Sequence, residues 1–183
     1  MTALFVYFGF ALGVSFLCSI LEAALLSVTP SHVAKLEQDR PKVGSKIRAL
    51  KSHVDRPLAA ILTLNTFANT AGAAGVGAEA QRLWGSEALA IASGVLTLAI
   101  LIISEILPKT LGALYWRRLT GFMANVLPVM ILVLSPLVWL SEAITRVLKR
   151  NRGHQTFSRE EFAALARVGE EQGIFDESET VSY

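Results

Sequence analysis

The decisive stretch is Ile100–Gly112, ILIISEILPKTLG. An apolar run beginning near Ala88 carries a carboxylate, Glu105, a proline, Pro108, and a lysine, Lys109. A carboxylate at bilayer depth costs roughly 2.5–3.5 kcal/mol on insertion scales, so its presence needs a reason. Pro108 has no N–H to return to the carbonyl of Ser104, and its ring crowds that carbonyl. The helix must open beside an acid, and two kinds of oxygen then share an apolar wall. That combination fits part of a cation site. It fits equally a Glu105–Lys109 ion pair one turn apart, closing a helix end at the membrane surface.

The surrounding chain is that of an integral membrane protein. Of its 183 residues, 52% are hydrophobic and 17% charged. Several apolar runs reach the roughly 20 residues a spanning helix needs. The single cysteine, Cys18, lies in one of them and reads as packing. The first run lacks a basic leader, contains Glu22 and is too long for a signal peptide, so it reads as a retained span.

Three spans are expected, at about 2–28, 57–83 and 88–116. The first has Phe5, Tyr7, Phe8 and Phe10 near one interface, where aromatic rings are favoured. Ser15, Ser19 and Glu22 follow on one helical face. Serines in membrane helices commonly bond back to the carbonyl four residues earlier, which is the plain alternative to a binding role. Gly9 and Gly13 have a spacing that allows close helix approach. In the second span Asn65, Asn69 and Gly72 share a face. Buried amides serve as interhelical glue, worth roughly 0.6–2 kcal/mol each, or offer carbonyl oxygens to an ion.

Between these spans, residues 30–56 are polar and strongly basic, with Lys35, Arg40, Lys42, Lys46, Arg48 and Lys51 prominent. A short helix pair broken at Pro41 and Gly44 is expected. Such a loop marks the cytoplasmic side, and it could also touch anionic lipid. The turn Trp84–Glu87 contains no Lys or Arg and suits the external side. Three crossings then put the N-terminus outside and the C-terminus in the cytoplasm, in the plasma membrane of a prokaryotic cell.

Residues 121–150 are apolar, interrupted by Pro128 and Pro136, and have basic residues at both ends. A crossing would strand one basic cluster outside, against the positive-inside rule. A kinked juxtamembrane belt helix resolves the conflict; a fourth crossing is the alternative. Residues 151–183 are acidic. Ser158 and Glu161 form a capping box, and the segment reads as the start of a cytosolic helical linker leading to a regulatory module.

The polar residues within the spans all offer oxygen: Ser15, Ser19, Glu22, Asn65, Asn69, Ser104 and Glu105. Oxygen donors select hard cations over zinc or copper. Magnesium takes six oxygens at short range, calcium takes more with looser geometry, and sodium suits carbonyl-rich sites. Broken helices lining ion sites recur in transporters. The sequence contains no phosphate loop, no paired histidines and no nucleophile with a base, so no enzymatic activity is expected. The basic loop lacks the aromatics of a nucleic-acid reader.

Taken together, Ser15-x-x-x-Ser19-x-x-Glu22, Leu64-Asn65-x-x-x-Asn69-Thr70 and Ser104-Glu105-Ile106-Leu107-Pro108-Lys109-Thr110 resemble the transmembrane domain of the CNNM/CorC magnesium transporters. The resemblance implies an all-α fold with three spans and a belt, a homodimer, and export of Mg2+ with Na+ as a coupling ion. It implies metal ligands at Ser15, Ser19, Asn69, Ser104 and Glu105, with Glu22, Asn65, Gly72, Pro108 and Lys109 as secondary or gating positions. It also implies a C-terminal pair of CBS domains beyond these residues. A membrane magnesium sensor or scaffold, and an ion channel, are the competing readings.

Overall fold

The computed structural model describes residues 1–140 and Ala143. The expected cytosolic linker at 151–183 and the end of the belt lie outside the described residues. Helix α1 spans Thr2–Ser27, α2 Pro30–Asp39, α3 Pro41–Ser52, α4 Asp55–Trp84, α5 Ser86–Ala99 and α6 Leu107–Val133, with a π-helical segment, Ile100–Ile106, joining α5 to α6. No strand occurs among the described residues.

The joints follow from local chemistry. Thr29 takes the extended backbone imposed on a residue before proline, and its side chain accepts a bond from the His32 N–H to cap α2. Pro30 and Pro41 occupy first turns, where a missing N–H costs nothing. Gly85 ends α4 with a φ of 88°, a conformation that disfavours any side chain.

Among the described residues, two helical stretches are long and apolar enough to cross a membrane: α1, and the 48 residues from Ser86 to Val133. Only 28% and 11% of their most apolar windows are buried within the chain. In a water-soluble protein such helices would form the core. Here Ile91, Val95, Leu98, Ile102 and Leu132 face outward, as hydrocarbon permits. Helix α4 covers the expected second span, but its amides and hydroxyls keep it below the same hydropathy threshold.

Helix α1 is the hub. Gly75 meets the Tyr7 ring and Gly72 meets Ala11, so α4 runs antiparallel to α1. On the other side Ser104 meets Leu12, and Gly112 meets Ile20 and Ala24, so the third helix runs parallel to α1. A Cβ on Gly112 would stand 2.6 Å from the Ile20 carbonyl oxygen. Gly9 and Gly13, expected at a close contact, have nothing within 4 Å. The glycines that admit the backbone of α1 belong to α4 and α6 instead.

Helix α6 turns at Tyr115 (φ −105°, ψ 16°), next to the expected end of the third span. Beyond it Met123, Ala124 and Leu127 are fully buried in one core with Leu21, Leu25, Ile47 and Ile61. The segment thus folds against the lower end of α1, α3 and α4. Lys46 donates to Asn125 Oδ1 at 3.1 Å, and Lys51 to the Leu25 carbonyl at 3.3 Å, tying the hairpin to that end. The hairpin breaks at Pro41 but not at Gly44, which lies inside α3 and touches the Glu37 backbone.

Two outcomes follow from this packing. Gly112→Ala should lower stability by about 1–3 kcal/mol, since the Ile20 backbone cannot yield. Gly13→Ala should cost nothing; unfolding in detergent by denaturant checks both. Arg48 donates two bonds to Glu37 across α2 and α3, which holds the Glu37 carboxyl below the usual carboxylate range. A depressed carboxyl pKa stabilises the fold above the ordinary range and ceases to do so as pH falls through the lowered value. Protection factors of the hairpin amides, corrected for intrinsic exchange, should therefore fall on acidification, and Glu37→Gln should remove that fall.

Candidate functional site

The antiparallel register of α1 and α4 decides which polar residues meet. From the Ala11–Gly72 contact, one turn onward along α1 reaches Ser15 and one turn back along α4 reaches Asn69. A further turn brings Ser19 level with Asn65. Two hydroxyls thus face two amides across one seam.

None of these four residues has its oxygen satisfied. Ser15 Oγ, Ser19 Oγ, Asn65 Oδ1 and Asn69 Oδ1 are buried and lack a hydrogen-bond partner. Ser15 and Ser19 are 0% and 1% exposed. An unpaired buried polar group costs about 1–3 kcal/mol, so four in one seam need an explanation. The ordinary fate of a helical hydroxyl is visible elsewhere in the same chain. Ser27 donates to Ala23, Thr97 to Ser93 and Thr110 to Ile106, all four residues back. Ser15 and Ser19 do not.

The acid comes from the third helix. Pro108 sits at the start of α6, and the backbone before it widens into the π segment, where the Leu107 N–H bonds to Ile102 five residues back. A π turn is one way a membrane helix absorbs a proline. It carries Ser104, fully buried, toward α1, where its hydroxyl donates to the Leu12 carbonyl at 3.0 Å. The Ser104 oxygen keeps lone pairs after this donation. The next residue, Glu105, is half-buried and lines a cavity of about 580 Å³ together with Asn69, Thr70, Thr97 and Leu101. Glu105 and Asn69, from separate helices, therefore share one space.

Lys109 pairs with Glu22 of α1 at 3.7 Å, rather than with Glu105 one turn earlier. The helix-closing ion pair considered from sequence is thus replaced by an interhelical one. Glu22 is engaged there rather than at the cavity, and Gly72 serves packing. Thr97 was not singled out from sequence. Its position two turns before Glu105, on the same helical face, was the available signal. Among the described residues no group of three or more His, Cys, Asp or Glu side chains could hold a metal. A cation at this cavity would depend on neutral oxygens around one carboxylate.

Comparison with known proteins identifies the family. The chain matches the family described as CNNM, cyclin M transmembrane N-terminal domain, over residues 6–179. It is 32% identical over 163 residues to UPF0053 protein sll1254 of Synechocystis, covering 89% of this chain and 47% of that protein. It is 30% identical over 135 residues to the UPF0053 inner membrane protein YfjD of Escherichia coli, covering 74% of this chain and 32% of that protein. A chloroplastic DUF21 domain-containing protein of Arabidopsis thaliana is 29% identical over 173 residues, covering 92% of this chain and 26% of that protein. The chain thus spans less than half the length of these curated relatives. With its helical membrane architecture and a family match across nearly all its length, the chain belongs to the CNNM transmembrane-domain family.

Proposed function

We propose that this chain is the membrane part of a magnesium transporter that exports Mg2+, with Na+ as the exchanged ion. The observation that carries the reading is the set of four buried oxygens without partners on facing turns of α1 and α4. Ser15, Ser19 and Asn69 supply neutral ligands, Glu105 supplies charge, and Ser104 adds an oxygen from the π segment; Asn65 lies one turn further along the seam. One carboxylate offsets only half of a divalent charge, which suits a site that must release its ion. The antiparallel order of α1, α4 and the third helix supports three crossings. The basic charge of the α2–α3 hairpin supports an N-terminus on the outer side, and the buried face of residues 123–130 supports the belt. A homodimer and C-terminal CBS domains complete the proposed assembly.

Two measurements test this. In the full-length protein reconstituted in liposomes, Glu105→Ala and Asn69→Ala should each reduce Mg2+ flux at least about tenfold, as loss of a charged or buried polar partner does. The outward-facing Leu62→Ala should not. Unchanged flux and affinity in both site variants would remove the assignment.

The second measurement uses the sign of a stability change. Without Mg2+, Ser15→Ala should leave the protein as stable or more so, by up to about 1–3 kcal/mol, because it deletes an unpaired hydroxyl. With Mg2+, the same variant should lose the stabilisation the ion confers on the parent. Interhelical glue predicts the reverse: destabilisation in both conditions and an undiminished ion effect.

A further inference from the structure

A second cavity, of about 410 Å³, lies where the start of α2 meets the turn of α6. Thr29, Ser31, His32, Lys35, Asp39 and Arg117 line it. It shares no residue with the Glu105 cavity. Lys35 and Arg117 have no carboxylate partner among the described residues, although Asp39 stands in the same wall. The Arg117 guanidinium rests over the Trp116 ring, 5.2 Å from its centre. The His32 imidazole meets the same ring edge-on at 4.8 Å, and its Nε2 is buried without a hydrogen-bond partner. Burial and the nearby Arg117 and Lys35 charges push the His32 pKa below its ordinary value. The pocket is thus short of negative charge despite Asp39.

The lining chemistry selects an anion with several acceptor oxygens. Arg and Lys together with hydroxyl donors are the usual partners of phosphate. We propose that this cavity binds a phosphate group through the Lys35 ammonium, the Arg117 guanidinium, the Ser31 hydroxyl and the His32 imidazole. Its position beside Trp116, at the end of an apolar helix, is where a phospholipid headgroup would lie. A free phosphate compound presents the same group, and the test separates the two sources.

The test follows His32 by NMR in the histidine-labelled full chain, with His32→Gln providing the assignment. One arm compares a phosphate-free neutral detergent with nanodiscs containing phosphatidylglycerol. The other adds inorganic phosphate in neutral detergent, against sodium chloride at equal ionic strength. Bound phosphate should raise the His32 pKa by about one unit, a tenfold preference for the protonated form. The rise should vanish in Arg117→Gln. A rise with phosphatidylglycerol assigns the site to lipid; a rise with inorganic phosphate alone assigns it to a soluble ligand. No rise in either arm, a rise equalled by chloride, or a rise that survives Arg117→Gln overturns the proposal.

Discussion

Hydrocarbon offers no hydrogen bonds, so every polar atom placed in it must find a partner in the protein. Most of this bundle obeys. Ser27, Thr97 and Thr110 bond to their own helices, and Ser104 bonds across to α1. The exceptions are concentrated on one seam, where α1 and α4 face each other around Ser15 and Asn69. Four unpaired oxygens in a single seam form a standing demand for positive charge. The packing makes relief by rotation of the helices costly, because Gly72 is wedged against Ala11 only one turn away. The seam is held in register by close backbone contact, and its polar atoms cannot drift apart to find other partners.

The proline in the third helix extends this constraint. A straight helix would keep Ser104 and Glu105 in ordinary register. The π segment gives a wider turn, which lets Ser104 reach the Leu12 carbonyl while Glu105 opens onto the cavity with Asn69. The accommodation of one proline is thus spread over seven residues, from Ile100 to Ile106, and sets the direction of two side chains. The turn at Tyr115 then brings the rest of α6 back against the hairpin, so the C-terminal end of α1 is enclosed by Met123, Leu127 and Ile47.

Much of this was legible in the amino-acid order. The proline beside an acid, and the serine and asparagine stripes, identify themselves because polar residues in apolar runs have few reasons to be there. Helix boundaries at Pro30, Pro41 and Gly85 follow from backbone chemistry alone. Contacts between helices were harder to read. Gly9 and Gly13 have the right spacing for a seam, but the seam uses Gly72 and Gly112, because spacing describes one helix while packing depends on the face its neighbour presents. The partner of Lys109 stayed open for the same reason: Glu105 is near in sequence, whereas Glu22 arrives from another helix. The π segment was foreshadowed by Pro108, but its extent depends on what α1 offers to Ser104.

The Glu22–Lys109 contact has a bearing on how the bundle could tolerate a visiting cation. An unmatched ammonium one helical turn from Glu105 would repel any positive guest and offset much of the carboxylate's pull. With Glu22 as its counter-ion, Lys109 is electrically muted, and the field of Glu105 stays undivided for whatever enters beside Asn69. The first helix thus grips the third span at two levels, through the Leu12 carbonyl and through the Glu22 carboxylate.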